Sequence, residues 1–191
     1  MKKLLLVLLI FAVFAGSAFA LDFDLMSYPP PVEGGNILVD VGIGFAYFGL
    51  DGKMVLPPIF LQGEYALPTL PLSVGIGGSF ATRKEEFGLF SSDALMRYTL
   101  ITFGARANWH WGFDIDWLDL YTGISLGWLM QRVKYEPEAL DAWADTMGIK
   151  PKNGWFDYGF QVGAHFYFTQ NIGAVVEVGF PYLKAGLALK F

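Results

Sequence analysis

Between residues 156 and 168 the side chains alternate without a break. The even positions carry Phe156, Tyr158, Phe160, Val162, Ala164, Phe166 and Phe168; the odd positions carry Asp157, Gly159, Gln161, Gly163, His165 and Tyr167. A period of two is the signature of a β-strand with two unlike faces. One face is broad, aliphatic and aromatic, and the other is polar or small. A water-soluble barrel of this size must enclose its oily face. Here the polar face suits an enclosed lumen, and the apolar face suits contact with lipid.

The rest of the chain agrees. It is 54% hydrophobic and 17% aromatic with 23 glycines, yet beyond Ala20 no unbroken apolar run is long enough for a spanning helix. Only helices and closed barrels satisfy their backbone groups in lipid. The alternation therefore selects a membrane β-barrel.

The first 20 residues read as a cleavable export leader. Lys2 and Lys3 precede an apolar core from residue 4 to 14, and Ala18-Phe19-Ala20 offers small residues for cleavage after Ala20. Removing the two lysines takes the formal charge from −5 to −7. An acidic exported chain is a poor partner for nucleic acid. With no cysteine, disulfides, a lipoprotein anchor and Cys-based chemistry are excluded. Residues 21–35 hold Pro29-Pro30-Pro31 and Gly34-Gly35, and read as an unpaired periplasmic lead-in. The barrel is expected over residues 36–191.

Eight strands are expected, at 36–48, 59–67, 72–82, 97–110, 118–131, 156–168, 172–180 and 183–191. Their connections are 49–58, 68–71, 83–96, 111–117, 132–155, 169–171 and Pro181-Tyr182. An even count puts both ends on one side. The three turns on that side, at 68–71, 111–117 and 169–171, are short, and two of the four loops opposite are long, which is the asymmetry of an exported barrel. Aromatic residues near strand ends, among them Phe80, Trp128 and Tyr158 above and Trp109, Phe168 and Phe191 below, suit interfacial girdles. On this reading Leu187→Arg places a charge on the lipid face at roughly 2–4 kcal/mol, while Gly186→Ser is tolerated.

Residues 36–191 resemble the small eight-stranded outer-membrane barrels of the OmpA/OmpX type. The most specific residues are Leu187, Leu189 and Phe191, alternating with Ala188 and Lys190; they resemble the C-terminal signal that barrel-assembly machinery reads. Residues 167–173, YFTQNIG, followed by VVEVGF, resemble that family's hairpin between the sixth and seventh strands. The resemblance implies an all-β, eight-stranded antiparallel transmembrane barrel in the outer membrane. It implies outer-membrane lipids as surroundings, with the secretion translocon and the assembly machinery as partners in biogenesis.

Inward positions collect Asp40, Gln62, Glu64, Arg106, Gln161, His165, Glu177 and Lys184. Eight strands enclose a space that side chains can fill, and enclosed charges must pair. Arg106 and Lys184 are expected to be shared among Glu64, Glu177 and Asp40. Inward tyrosines, Tyr98, Tyr121 and Tyr167, are placed to cover inward glycines. In the loop at 132–155, Glu136-Pro137 opens a helix with Leu140, Trp143 and Met147 on one face, stopped by Gly148 and Pro151. Capping of the barrel mouth is the role it fits first.

Three functions fit these features. A structural or surface-interaction barrel with a plugged lumen comes first, with an extracellular ligand of the loops left open. A narrow channel for ions or small solutes is the alternative. A lipid hydrolase comes third: the histidines, His110 and His165, lie on separate strands and face inward, and the lipid face lacks a Ser/His/Glu set. No catalytic residue, cofactor or metal is expected.

Overall fold

The computed structural model describes residues 30–47, 53–86, 95–113, 115–136, 138–148, 154–179 and 182–191. The expected leader, the lead-in before residue 30, Pro151 and the Phe180-Pro181 corner lie outside them. Eight strands follow in order: β1 Ile37–Tyr47, β2 Lys53–Ala66, β3 Leu72–Glu86, β4 Leu95–Trp111, β5 Leu118–Glu136, β6 Trp155–Tyr167, β7 Ile172–Gly179 and β8 Tyr182–Lys190. One helix, α1 (Glu138–Thr146), lies between β5 and β6. Each strand pairs antiparallel with the next, and β8 returns to β1. The sheet is therefore closed and has no edge.

At the seam Ile37 N–H donates to Phe191 O at 2.8 Å, and Phe191 N–H donates back to Ile37 O at 2.9 Å. Both described ends of the chain and the three short turns share one end of the barrel, called here the terminal end. The opposite end carries the long connections and α1 and is called the loop end.

The alternation appears as burial. Along β2, Ile59, Leu61 and Tyr65 are exposed, while Phe60, Gln62 and Glu64 are buried. Large apolar side chains cover the outside; Ile76 is 72% exposed and Tyr158 is 69% exposed. An outer surface this apolar needs an apolar solvent. Leu187 and Phe191 belong to it, and Leu189 is half-buried beside them.

Several boundaries differ from the sequence reading. β2 begins at Lys53, so residues 53–58 are strand and not loop. Its register shifts between Met54 and Leu56 and again between Leu56 and Ile59. These irregularities admit Pro57 and Pro58, which a regular ladder would reject. β3 runs to Glu86 and β4 starts at Leu95, so much of the expected charged loop is paired sheet. β5 likewise reaches Glu136, and α1 begins at Glu138. The oily stripe that marks a strand ends here, because the outward positions of these extensions are Lys84, Arg97 and Lys134, and charged residues read as loop.

The helix is placed otherwise than expected. Trp143 and Met147 are exposed and Ala144 is its buried contact; the side chain of Leu140 lies outside the described residues. Asp141 Oδ1 accepts the Tyr135 N–H at 3.0 Å and ties α1 to the end of β5. Gly148 follows with φ +64, the left-handed conformation that ends a helix.

The lead-in is not an unpaired spacer from residue 31 onward. Val32 is buried against Leu38 and Ala66, and Gly35 N–H donates to Ala66 O at 2.9 Å. Apolar Val32 finds shelter only by turning into the barrel's open end.

The register also corrects the expectation for Gly186. It stands opposite Gly42 across the β8–β1 seam, and a Cβ on it would lie 2.7 Å from Gly42 Cα. Gly186→Ser is accordingly expected to lower the urea midpoint for refolding into vesicles. Gly63→Ala should match wild type, because its methyl meets only Leu38 O at 3.9 Å. Leu187→Arg should cost roughly 2–4 kcal/mol. Equal stability of Gly186→Ser and Gly63→Ala would contradict the seam.

Candidate functional site in the lumen

The inward faces of β1, β2, β4, β6, β7 and β8 bring all eight predicted lumen residues together. Asp40, Gln62, Glu64, Arg106, Gln161, His165 and Glu177 are buried, and the Lys184 side chain is 12% exposed. They form two tiers.

The tier nearer the loop end is built on Arg106 of β4. Its Nη2 donates to Glu177 Oε2 at 2.7 Å, its Nη1 donates to Gln62 Oε1, and its Nε lies 2.7 Å from Glu64 Oε1. The Nε contact is ionic and lies off the N–H axis. Lys184, the cross-strand partner of Glu177, places Nζ 2.6 Å from Glu177 Oε1 and donates to Gln62 Oε1 at 3.0 Å. Tyr121 O–H donates to Glu177 Oε2 at 2.9 Å. Two carboxylates and two cations cancel here, which is the condition for sheltering them from water.

The tier nearer the terminal end is built on Asp119. Its carboxylate accepts from His110 Nδ1 at 2.9 Å and from His165 Nδ1 at 2.8 Å. His165 Nε2 reaches Asp40 Oδ2 at 3.2 Å. A carboxylate only accepts, so both ring nitrogens of His165 donate. Gln62 Nε2 donates to Asp40 Oδ2 at 2.7 Å and links the tiers. Asn108 Nδ2 donates to both Glu64 oxygens at 2.8 Å, and Asn108 Oδ1 accepts from Gln161 Nε2 at 2.8 Å.

Asp40 corrects the expected sharing. Its partners are Gln62 and His165, while Arg106 and Lys184 hold Glu64 and Glu177. The β1–β8 register explains this: Lys184 stands opposite Gly44, and Asp40 stands opposite Ala188, four residues nearer the terminal end.

Ser73, Asn108, His110, Asp119 and Tyr121 belong to the network but not to the predicted set. A signal for them existed. Arg106, Asn108 and His110 occupy three successive inward positions of β4, and Asp119 and Tyr121 continue the run on β5. Alternation marks their face, but only register puts them at one height. Tyr121 does cover a glycine: it pairs with Gly163, and a Cβ on Gly163 would strike its ring.

Apolar collars lie beyond the tiers. Val32, Leu38 and Ala66 close the terminal end, where Lys190 Nζ sits 4.3 Å over the Tyr167 ring and donates to Pro31 O at 3.0 Å. Ala81, Leu100 and Leu129 cluster toward the loop end. Between that cluster and Arg106 is a cavity of ≈ 80 Å³, lined among others by Gln62, Arg106, Asp157, Glu177, Lys184 and Gly104. It has room for several water molecules.

Ser73, His110 and Asp119 stand in the order of a hydrolytic triad, with His110 Nε2 2.9 Å from Ser73 Oγ. The protons run the wrong way for it. Ser73 Oγ also contacts Glu64 Oε2, which only accepts, so the hydroxyl donates to Glu64 and accepts from His110. Ser73 is fully buried, and no substrate carbonyl can reach it. Among the described residues no group of three or more metal-ligating side chains is placed to hold an ion.

Asp119→Leu should strip two imidazoles of their shared acceptor. The expected loss is about 3–5 kcal/mol, read as a lower urea midpoint in vesicles; an unchanged midpoint would mean that the lower tier does not stabilise the barrel.

No protein-family model matches the sequence, and no curated protein matches it. Solved structures do match in fold. Neisserial surface protein A (NspA) is similar at 14% identity with a TM-score of 0.55, covering 83% of this chain and 98% of that one. Ail, the attachment invasion locus protein of Yersinia pestis, in complex with the heparin analogue sucrose octasulfate, is similar at 14% identity and 0.51, covering 83% and 99%. Outer membrane protein W of E. coli is similar at 11% identity and 0.51, covering 83% and 99%. Identities this low establish the fold alone: the chain has the closed eight-stranded β-barrel fold that these outer-membrane proteins share.

Proposed function

We propose that this protein is an integral outer-membrane barrel with a structural or surface-interaction role and a lumen plugged by its own side chains. The buried two-tier network supports this reading most directly. Arg106, Glu64, Gln62, Glu177 and Lys184 bond one another across the lumen, so an ion path would require those pairs to part. Opening them in a sheltered space leaves charges uncompensated, at several kcal/mol each. The narrow-channel alternative needs that opening.

The protein is exported by its leader, reaches the outer membrane with both ends in the periplasm, and sends α1 and the long connections outward. Outer-membrane lipids surround it. The translocon and the barrel-assembly machinery handle it on the way, the latter reading Leu187, Leu189 and Phe191. Exposed Trp143 and Met147 on α1 are the surface suited to an extracellular ligand. No enzyme activity, cofactor or nucleic-acid partner is part of this reading.

Planar-bilayer recordings test it, using protein whose folding is first established by heat-modifiable gel mobility. The expected result is a silent membrane. Steady discrete openings that change with Arg106→Ala would replace the plug by a channel with Arg106 as its selectivity element.

A further inference from the structure

The register aligns four cations on the outside of the wall near the loop end. Lys53 stands opposite Lys84, Lys84 opposite Arg97, and Arg97 opposite Lys134. Lys53 and Lys134 are exposed, and Lys84 and Arg97 are partly so. At a strand spacing of about 4.8 Å the row spans about 14 Å, and it climbs obliquely because barrel strands are tilted. Exposed Arg132 lies on the same outer face, one outward position closer to the lipid-facing band.

Like charges directly opposite on adjacent strands destabilise a sheet. Three such pairs in succession are a cost that an anion would remove. Glu136 answers part of it, 2.7 Å from Arg97 Nη2 and 3.6 Å from Lys84 Nζ. Among the described residues of β2 to β5, Glu86, opposite Leu95, is the other outward carboxylate at this level. Five cations against these two carboxylates leave a net positive strip.

Its position identifies the anion. Toward the terminal end the same outer face becomes apolar, with exposed Phe80, Phe103, Trp128 and Met130. Lys84 lies four residues beyond Phe80 on β3, about 10 Å along the barrel axis at 3.3 Å per residue and a tilt near 40°. That sets the row beyond the apolar band, on the side where polar headgroups lie above the hydrocarbon. A ligand seated there presents phosphates to the cations and acyl chains to the rings below. A soluble polyanion would use the cations and leave the apolar part empty.

We infer that the Lys53–Lys84–Arg97–Lys134 row, with Arg132, is a binding site for a phosphorylated, acylated sugar lipid of the outer leaflet. The inference rests on the outer-membrane reading.

The test uses protein extracted from membranes, exchanged into neutral micelles and weighed by native mass spectrometry. The probes are a bisphosphorylated, acylated glucosamine disaccharide, its dephosphorylated counterpart and a heparin hexasaccharide. The phosphorylated lipid should stay bound and the other two should not. Lys53→Gln/Lys134→Gln, which leaves both ion pairs of Glu136 intact, should bind it about thirtyfold more weakly while keeping heat-modifiable mobility. Equal binding by the double variant, or of both lipids, overturns the site. Preferential binding of the heparin hexasaccharide replaces the lipid by a sulfated glycan. Failure of wild type to insert into vesicles overturns the membrane reading itself, and insertion without phosphate-dependent binding overturns this inference alone.

Discussion

The interior of this barrel turns on one guanidinium. Arg106 extends from β4 to meet Glu64 on β2 and Glu177 on β7, and it donates to Gln62 between them. Arginine suits the place because its fixed fork serves several acceptors and it stays charged. Take it away and two buried carboxylates share Lys184 alone, inside a wall that admits little water. The Tyr121 hydroxyl and the orientation of Asn108 are set by the carboxylates that Arg106 neutralises, and the amide oxygen of Gln62 is held by Arg106 and Lys184 themselves.

The fold inverts the arrangement of a soluble protein. Outside, the solvent is apolar and rewards Ile76, Phe103 and Leu126 for being exposed. Inside, the core is a hydrogen-bonded and ionic network with a few apolar contacts, such as Phe60 with Tyr121 and Val175. Closure of β8 on β1 makes this workable, since no backbone donor or acceptor on a strand edge is left facing lipid. The two halves depend on each other. The seam needs glycine at 42 and 186 to bring strands close, and the lumen this encloses is narrow enough for side chains to meet across it.

Much of this was legible beforehand, for a physical reason. A face of a strand is a local property, so alternation from Phe156 to Phe168 located lipid and lumen, and hydrophobic runs separated by turn residues counted eight strands. Height along the barrel is not local. Asp40, Asp119 and His165 meet because three strands slide into one register, and no spacing in the sequence states that offset. Strand ends failed for another reason. Beyond the apolar band, Lys84, Arg97 and Lys134 are paired sheet with charged outward positions, and their polarity reads as loop. Val32 was missed because a single apolar residue between prolines and glycines carries no period.

The most direct test of the account is a double-mutant cycle between Arg106→Met and Glu177→Gln, followed by urea unfolding in vesicles. The double variant keeps Glu64 and Lys184, so its upper tier stays neutral, whereas each single variant leaves an unbalanced buried charge. The account predicts a coupling of about 2–3 kcal/mol, with the double variant markedly more stable than the sum of the single losses implies. Additivity within about 0.5 kcal/mol would mean that the two groups do not depend on each other and that the lumen is not held by its charges.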